Sequence, residues 1–186
     1  MSGVELGEYF HKDYSSDELS IDFGDSISKE LIRLSNSNDK TLFIVLTSSI
    51  IALFKKSSFE VSDNILLRTP ILSKFGGDLN NVINKLLIQK GEISKETTFK
   101  DLLISFKNDY LSSMKHQNYP LEKFIRDELH NEESFYENFS LLTNIHDEKI
   151  LDDFKYNLAF CFSRGVDDYI SCKIKYNANS FKNETI

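Results

Sequence analysis

Two stretches near the C-terminus restrict the fold more than any other part of the chain. Phe154, Tyr156, Leu158, Phe160 and Phe162 alternate with Lys155, Asn157, Ala159 and Cys161, and Ile170, Cys172, Ile174 and Tyr176 alternate with Ser171, Lys173 and Lys175. A period of two puts the large apolar set on one face of a pleated strand and the other set on the opposite face. Residues 163–168, with Gly165, form the connection. The two strands therefore pair antiparallel as a hairpin, with one buried and one wetter face.

The rest of the chain supplies helices and further strands. Residues 1–19 carry glycines, serines and acids without a sustained period and are expected to form a flexible N-terminal segment; residues 20–186 form the domain. Ile21 and Phe23 alternate with polar neighbours as a short strand over 20–25. Ser26 is placed to cap a helix over 26–37 with Ile27, Leu31 and Leu34 on one face. Residues 36–39 are turn-forming, and residues 41–56 then read as a helix apolar on nearly every side, which belongs between layers. Residues 64–67 are aliphatic enough for a buried strand that ends near Thr69-Pro70. A loop over 73–81 holds Gly76-Gly77, and residues 82–89 return to strand character.

Thr98 and Asp101 have capping-box spacing ahead of Phe99, Leu102, Leu103, Phe106, Tyr110 and Met114, which recur at helical intervals. Tyr119-Pro120 turns the chain into a second stripe of Leu121, Phe124, Ile125 and Leu129, and residues 139–145 read as a strand. Helices interleaved with strands early and a hairpin late imply an α/β (α+β) two-layer sandwich: a mixed sheet with helices on one face.

Composition narrows the function. With 22 basic and 29 acidic residues the chain carries a net charge of −7, spread along its length. No cluster of Lys and Arg suits a phosphate backbone, so nucleic acid is not an expected partner. The longest apolar run, residues 42–54, is interrupted by Thr47, Ser48 and Ser49 and falls short of the roughly 20 residues a membrane span requires. The mixed, acidic residues 1–25 do not resemble a secretion signal, and the expected setting is the reducing cytoplasm. Cys161 and Cys172 lie in predicted strands without metal-type spacing and read as buried free thiols, a bridge being the alternative. There is no Gly-x-Ser-x-Gly elbow, and Gly76-Gly77 lacks the Lys-Ser/Thr that completes a phosphate loop.

Residues 116–122, His-Gln-Asn-Tyr-Pro-Leu-Glu, stop one helix and open the next: Pro120 gives up an amide that has no partner at a helix start, and Glu122 suits the positive end of the helix dipole. This run resembles the His/Asn-Gln-Asp-Tyr-Pro-Phe-Glu signature of the condensation domains of nonribosomal peptide synthetases, matching at His116, Gln117, Tyr119, Pro120 and Glu122. Other segments resemble the same family in the same order. Thr41-Leu42-Phe43 looks like its Thr-Leu-Phe-x-x-Leu helix, Thr69-Pro70 like its Gly-Thr-Pro, and residues 82–86 like its Phe-Val-Asn-Thr-Leu, with Asn84 in common. Lys74 falls where the family usually has Arg, and residues 173–181 look like its closing strand. The Arg-Asp-x-Ser-Arg-Asn-Pro-Leu-Phe segment is represented at best by residues 131–139, without Arg-Asn-Pro.

The resemblance implies the second, C-terminal of two chloramphenicol acetyltransferase-like lobes, residues 20–186 being the C-terminal half of a condensation domain. The family's His-His-x-x-x-Asp-Gly motif belongs to the other lobe, and none of His11, His116, His130 and His146 has a histidine neighbour or that Asp-Gly. By resemblance, Thr69, Pro70, Ser73 and Lys74 belong to a lobe-crossing loop and Asn84 sits near a tunnel wall; His116, Gln117, Tyr119, Pro120 and Glu122 are a structural motif. Catalytic and metal residues are expected to be absent. The complete domain would take phosphopantetheine-loaded carrier proteins as substrates, with no cofactor bound directly. Expected partners are the missing lobe, adjacent adenylation or carrier domains, and a second copy through an exposed apolar face. Two alternatives compete: an acyltransferase active only as an oligomer, using His116 or His146, and an interaction scaffold beside an adenylation domain.

Overall fold

The computed structural model describes residues 15–56, 64–70, 86–92, 94, 96–119, 141–145, 158–179 and 181. In chain order the elements are β1 (Ser16–Asp22), α1 (Gly24–Ser35), α2 (Asp39–Lys56), β2 (Asn64–Pro70), β3 (Leu86–Glu92), α3 (Phe99–Lys115), β4 (Leu141–Ile145), β5 (Leu158–Arg164) and β6 (Ile170–Asn177). The six strands form one mixed sheet in the order β1-β6-β5-β4-β2-β3. β4 runs parallel to β2 and to β5, and the outer pairs are antiparallel. Strand β1 starts at Ser16, four residues before the expected start, and pairs with β6 from Ser16↔Asn177 onward. Its late sequence signal has a simple cause: six of its seven residues are exposed, so they carry little apolar alternation. β3 likewise covers Leu86–Glu92, and residues 82–85 lie outside the described residues.

The β5–β6 register pairs Leu158 with Tyr176, Phe160 with Ile174 and Phe162 with Cys172 on one face. These six side chains are buried and join Leu42, Phe43, Leu46, Leu67, Leu87, Leu102, Phe106 and Tyr110 in one core, so the helices lie on this face. Phe43 meets Tyr110 at 5.4 Å and Phe106 at 6.4 Å between ring centroids, which locks α2 to α3, and Phe54 stands edge-on to Phe160 at 6.1 Å. Each such ring withdrawn from water contributes about 1.5–3 kcal/mol before its ordering entropy is subtracted.

The wet second face expected for β5 is not found at its centre: Ala159 is 0% and Cys161 4% exposed, and Arg68 of β2 is buried on that side too. Only Ser163, whose hydroxyl meets that of Ser171 at 2.7 Å, is exposed there. Strand β5 lies inside the sheet, flanked by β6 and β4, whereas β6 keeps the expected buried–half-buried alternation. The same register settles the cysteines. Cys161 stands opposite Lys173 and Cys172 opposite Phe162, so the thiols project from opposite faces; both are buried and neither is in a disulfide. Burial, and secondly the neighbouring Cys161, push the Cys172 thiol up to about 12.

Helix α1 turns differently from its hydrophobic spacing. Ser28, Ile32 and Ser35 face inward, while Ile27 and Leu34 are 55% and 59% exposed and Leu31 is half-buried. Hydrogen bonding explains the rotation. Ser28 Oγ accepts the N–H of Ile170, the first residue of β6, at 3.0 Å, which an aliphatic side chain could not do. Ser35 Oγ donates to the Ile32 carbonyl at 3.0 Å, so both inward hydroxyls are satisfied. Ser26 is not the cap: Phe23 occupies that position without a side-chain hydrogen bond, and its ring lies 6.3 Å from that of Phe162.

Helix α1 ends at Asn36 in the left-handed region, and Ser37 N–H closes back on the Ile32 carbonyl at 3.0 Å. Asn38 Oδ1 then accepts the N–H groups of Lys40 and Thr41, capping α2 as the turn chemistry predicts. Arg164 ties this turn to the hairpin. Its Nε and Nη2 donate to Asp168 at 2.8 and 2.6 Å, and its Nη1 donates to Asp39 at 2.7 Å and to the Ser37 carbonyl at 3.1 Å.

Candidate functional site

The predicted site residues separate into two places. Thr69 and Pro70 end β2, paired with Leu87 and Leu86 of β3. Thr69 is fully buried, on the same sheet face as Leu67, Leu87 and Gln89. The loop residues Ser73, Lys74 and Asn84 lie outside the described residues. The chain leaves β2 at Pro70 and re-enters the sheet at Leu86, so both ends of the predicted lobe-crossing segment are fixed by antiparallel pairing.

The second place is the turn after α3. That helix starts as its sequence predicts: Thr98 Oγ1 accepts Asp101 N–H at 3.2 Å and Thr98 N–H donates to Asp101 Oδ2 at 3.3 Å. The hydroxyl and the backbone amide of Thr98 hold the Asp101 carboxyl below the usual carboxylate range. Leu102, Phe106 and Tyr110 face the core at i, i+4, i+8, while Phe99 at the helix start is 45% exposed. At the far end His116 is the C-cap, its N–H donating to the Ser113 carbonyl at 3.0 Å and its carbonyl accepting Tyr119 N–H at 2.9 Å. His116 and Tyr119 are exposed and Gln117 is half-buried; Pro120 and Glu122 lie outside the described residues. His116 N–H and carbonyl and Tyr119 N–H make the backbone bonds of this turn. The geometry stops a helix and redirects the chain.

Sequence reasoning missed two features. One is which aliphatic side chains stand exposed on the helices, since the exposed apolar face is expected from the sequence without named residues: Ile27 and Leu34 on α1, Leu53 on α2, Ile104 and Leu111 on α3. Their seven-residue spacing on α1 and α3 is legible in the chain, but on α1 it reads as the core face. The other is a set of buried polar atoms without a hydrogen-bond partner among the described residues: Thr69 Oγ1, both carboxamide atoms of Gln89, and Ser48 Oγ. Among the described residues no group of three His, Cys, Asp or Glu side chains could hold a metal ion. Nor is any single described helix long and apolar enough to cross a membrane.

The fold is similar to part of the condensation-domain fold. The chain overlays the X-domain solved in complex with OxyB from teicoplanin biosynthesis with a TM-score of 0.70 at 15% identity, covering 92% of this chain and 42% of that one. VibH, a peptide synthetase condensation enzyme, gives 0.66 at 16% identity, over 92% of this chain and 43% of VibH.

In sequence the chain is similar to segments of peptide synthetases. Gramicidin S synthase 2 of Brevibacillus brevis is 27% identical over 197 aligned positions, covering 93% of this chain and 4% of that protein. Tyrocidine synthase 3 of Brevibacillus parabrevis is 25% identical over 115, covering 60% of this chain and 2% of that protein. No protein-family profile matches. The chain thus spans less than half of the solved relatives named here and a few per cent of the curated ones.

Proposed function

We propose that the chain supplies one lobe of a carrier-protein-dependent, amide-forming domain of a peptide synthetase and is inactive alone. The observation that carries this is the overlay itself: 92% of this chain accounts for only 42–43% of two condensation-type structures. The complete domain would hold an aminoacyl and an acyl or peptidyl group, each on a phosphopantetheine thioester. The amine attacks the thioester carbonyl, the C–N bond forms, the C–S bond breaks, and the thiol leaves with the proton. Positioning two tethered reactants supplies most of such a rate enhancement, with a histidine of the other lobe assisting. This lobe would contribute one wall, the segment between β2 and β3 that includes Thr69, Pro70, Ser73, Lys74 and Asn84, and a packing surface. Its partners would be the complementary lobe and adjacent adenylation or carrier domains, in the cytoplasm.

The test is turnover. Purified 1–186 mixed with two loaded carrier proteins should give no amide product, and adding a separately produced complementary lobe should restore it; product from 1–186 alone would overturn the assignment.

A second reading has its own support. The X-domain structure is a complex with OxyB, and this chain exposes aliphatic side chains on all three described helices. An exposed apolar surface of this kind suits protein docking, so the lobe would act as a scaffold or associate with a second copy. Sedimentation of 1–186, alone and with a neighbouring synthetase domain, separates self-association from scaffolding.

A further inference from the structure

We propose that the corner where α3 covers the β2–β3 edge is a conformational weak point, opening locally to solvate Thr69 and Gln89 while β5 and β6 stay closed. Most buried polar side chains near the other edge of the sheet are matched: Ser28, Ser35 and Tyr176 each have a hydrogen bond. At the β2–β3 corner the pattern reverses. Thr69 is 0% and Gln89 3% exposed, and Thr69 Oγ1, Gln89 Oε1 and Gln89 Nε2 have no partner among the described residues.

The register puts the two side chains on one face of the sheet. Leu67 stands opposite Gln89 and Thr69 opposite Leu87, so Thr69 and Gln89 share the helix-facing side one step apart on adjacent strands. The three atoms are also sealed from bulk solvent in the closed form. A closed state with three stripped polar atoms is penalised relative to one in which water reaches them. β3 is the terminal strand of the described sheet, hydrogen-bonded to β2 on one side, and α3 packs on it, so this corner can open without parting the strands at the sheet centre. The strands that would loosen are those that frame residues 71–85. The inference stands on burial and register and is independent of the function proposed above.

Hydrogen exchange of 1–186, followed by mass spectrometry, tests it with Thr69→Val and Gln89→Met, two near-isosteric changes that remove the unmatched atoms. The double variant should slow exchange in β2, β3 and α3 by roughly tenfold, with β5 and β6 unchanged. Equal slowing in all strands would mean the penalty is released only by global unfolding, and would overturn the proposal. Faster exchange would show that the atoms are satisfied, with the same consequence. Should the double variant not fold, wild-type exchange decides: the inter-strand amides of β2 must open faster than those of β5.

Discussion

The two ends of the sheet solve the same problem in opposite ways. At the β1–β6–β5 end, the α1–α2 turn and the β5–β6 hairpin are fastened by side chains. Ser28 accepts the first amide of β6, Asn38 caps α2, and Arg164 binds Asp168, Asp39 and the Ser37 carbonyl. At the β2–β3 end, Thr69 and Gln89 are buried with their polar atoms unmatched among the described residues. Burial alone therefore does not measure local stability here. Both corners exclude water, but only one replaces the hydrogen bonds that water provided.

The largest effect expected is loss of the shared core. Phe160→Ala removes a buried ring that packs against Phe54 and should destabilise the fold by about 3–5 kcal/mol in denaturant unfolding. A loss below about 1 kcal/mol would mean that the β5 face is looser than its burial indicates.

Next is the fastening itself. Arg164→Leu should cost about 1–2 kcal/mol, discounted because Asp168 is half-exposed, and should speed exchange at the α1–α2 turn and hairpin rather than at β3. Uniform loosening of both corners would erase the contrast.

The third is a pH slope. The folded Cys172 thiol is raised to about 12 from 9.0, so its contribution is complete below pH 9 and is lost as pH climbs from about 9 to about 12. Cys172→Ala should flatten that alkaline slope in thermal unfolding, while Cys161→Ala should only moderate it.

Thr69→Val should move stability the other way, raising it by about 1 kcal/mol, because an unmatched hydroxyl is replaced by a methyl of the same shape. The smallest effect belongs to the outer flank of α1. Leu34→Glu should change monomer stability by less than about 0.5 kcal/mol, yet weaken any association that the helix layer supports.

Much of this is legible in the chain. The capping box at Thr98, the turn at 36–39, the unbridged cysteines and the β6 alternation follow from local chemistry that neighbours did not override. The misreadings share one cause. Ile27, Leu31 and Leu34 have ideal spacing for a buried face, yet α1 presents Ser28 and Ser35 inward because the amide of Ile170, 142 residues away from Ser28, needs an acceptor there. β1 starts early because its pairing with β6 uses backbone groups, which every sequence carries.

What the sequence determined by itself is therefore the existence of the described elements, their approximate limits and the face of the C-terminal hairpin that meets the helices; the expected helix over 121–129 lies outside the described residues. Period, caps and turn residues act within a few positions, and these are local quantities. Only the tertiary structure decided which side of α1 is buried, that Ala159 and Cys161 are sealed on the second face, and that the polar side-chain atoms of Thr69 and Gln89 are buried without a hydrogen-bond partner among the described residues. Those outcomes depend on which distant strand lies alongside, and long-range hydrogen bonding fixes that after the local pattern is already satisfied.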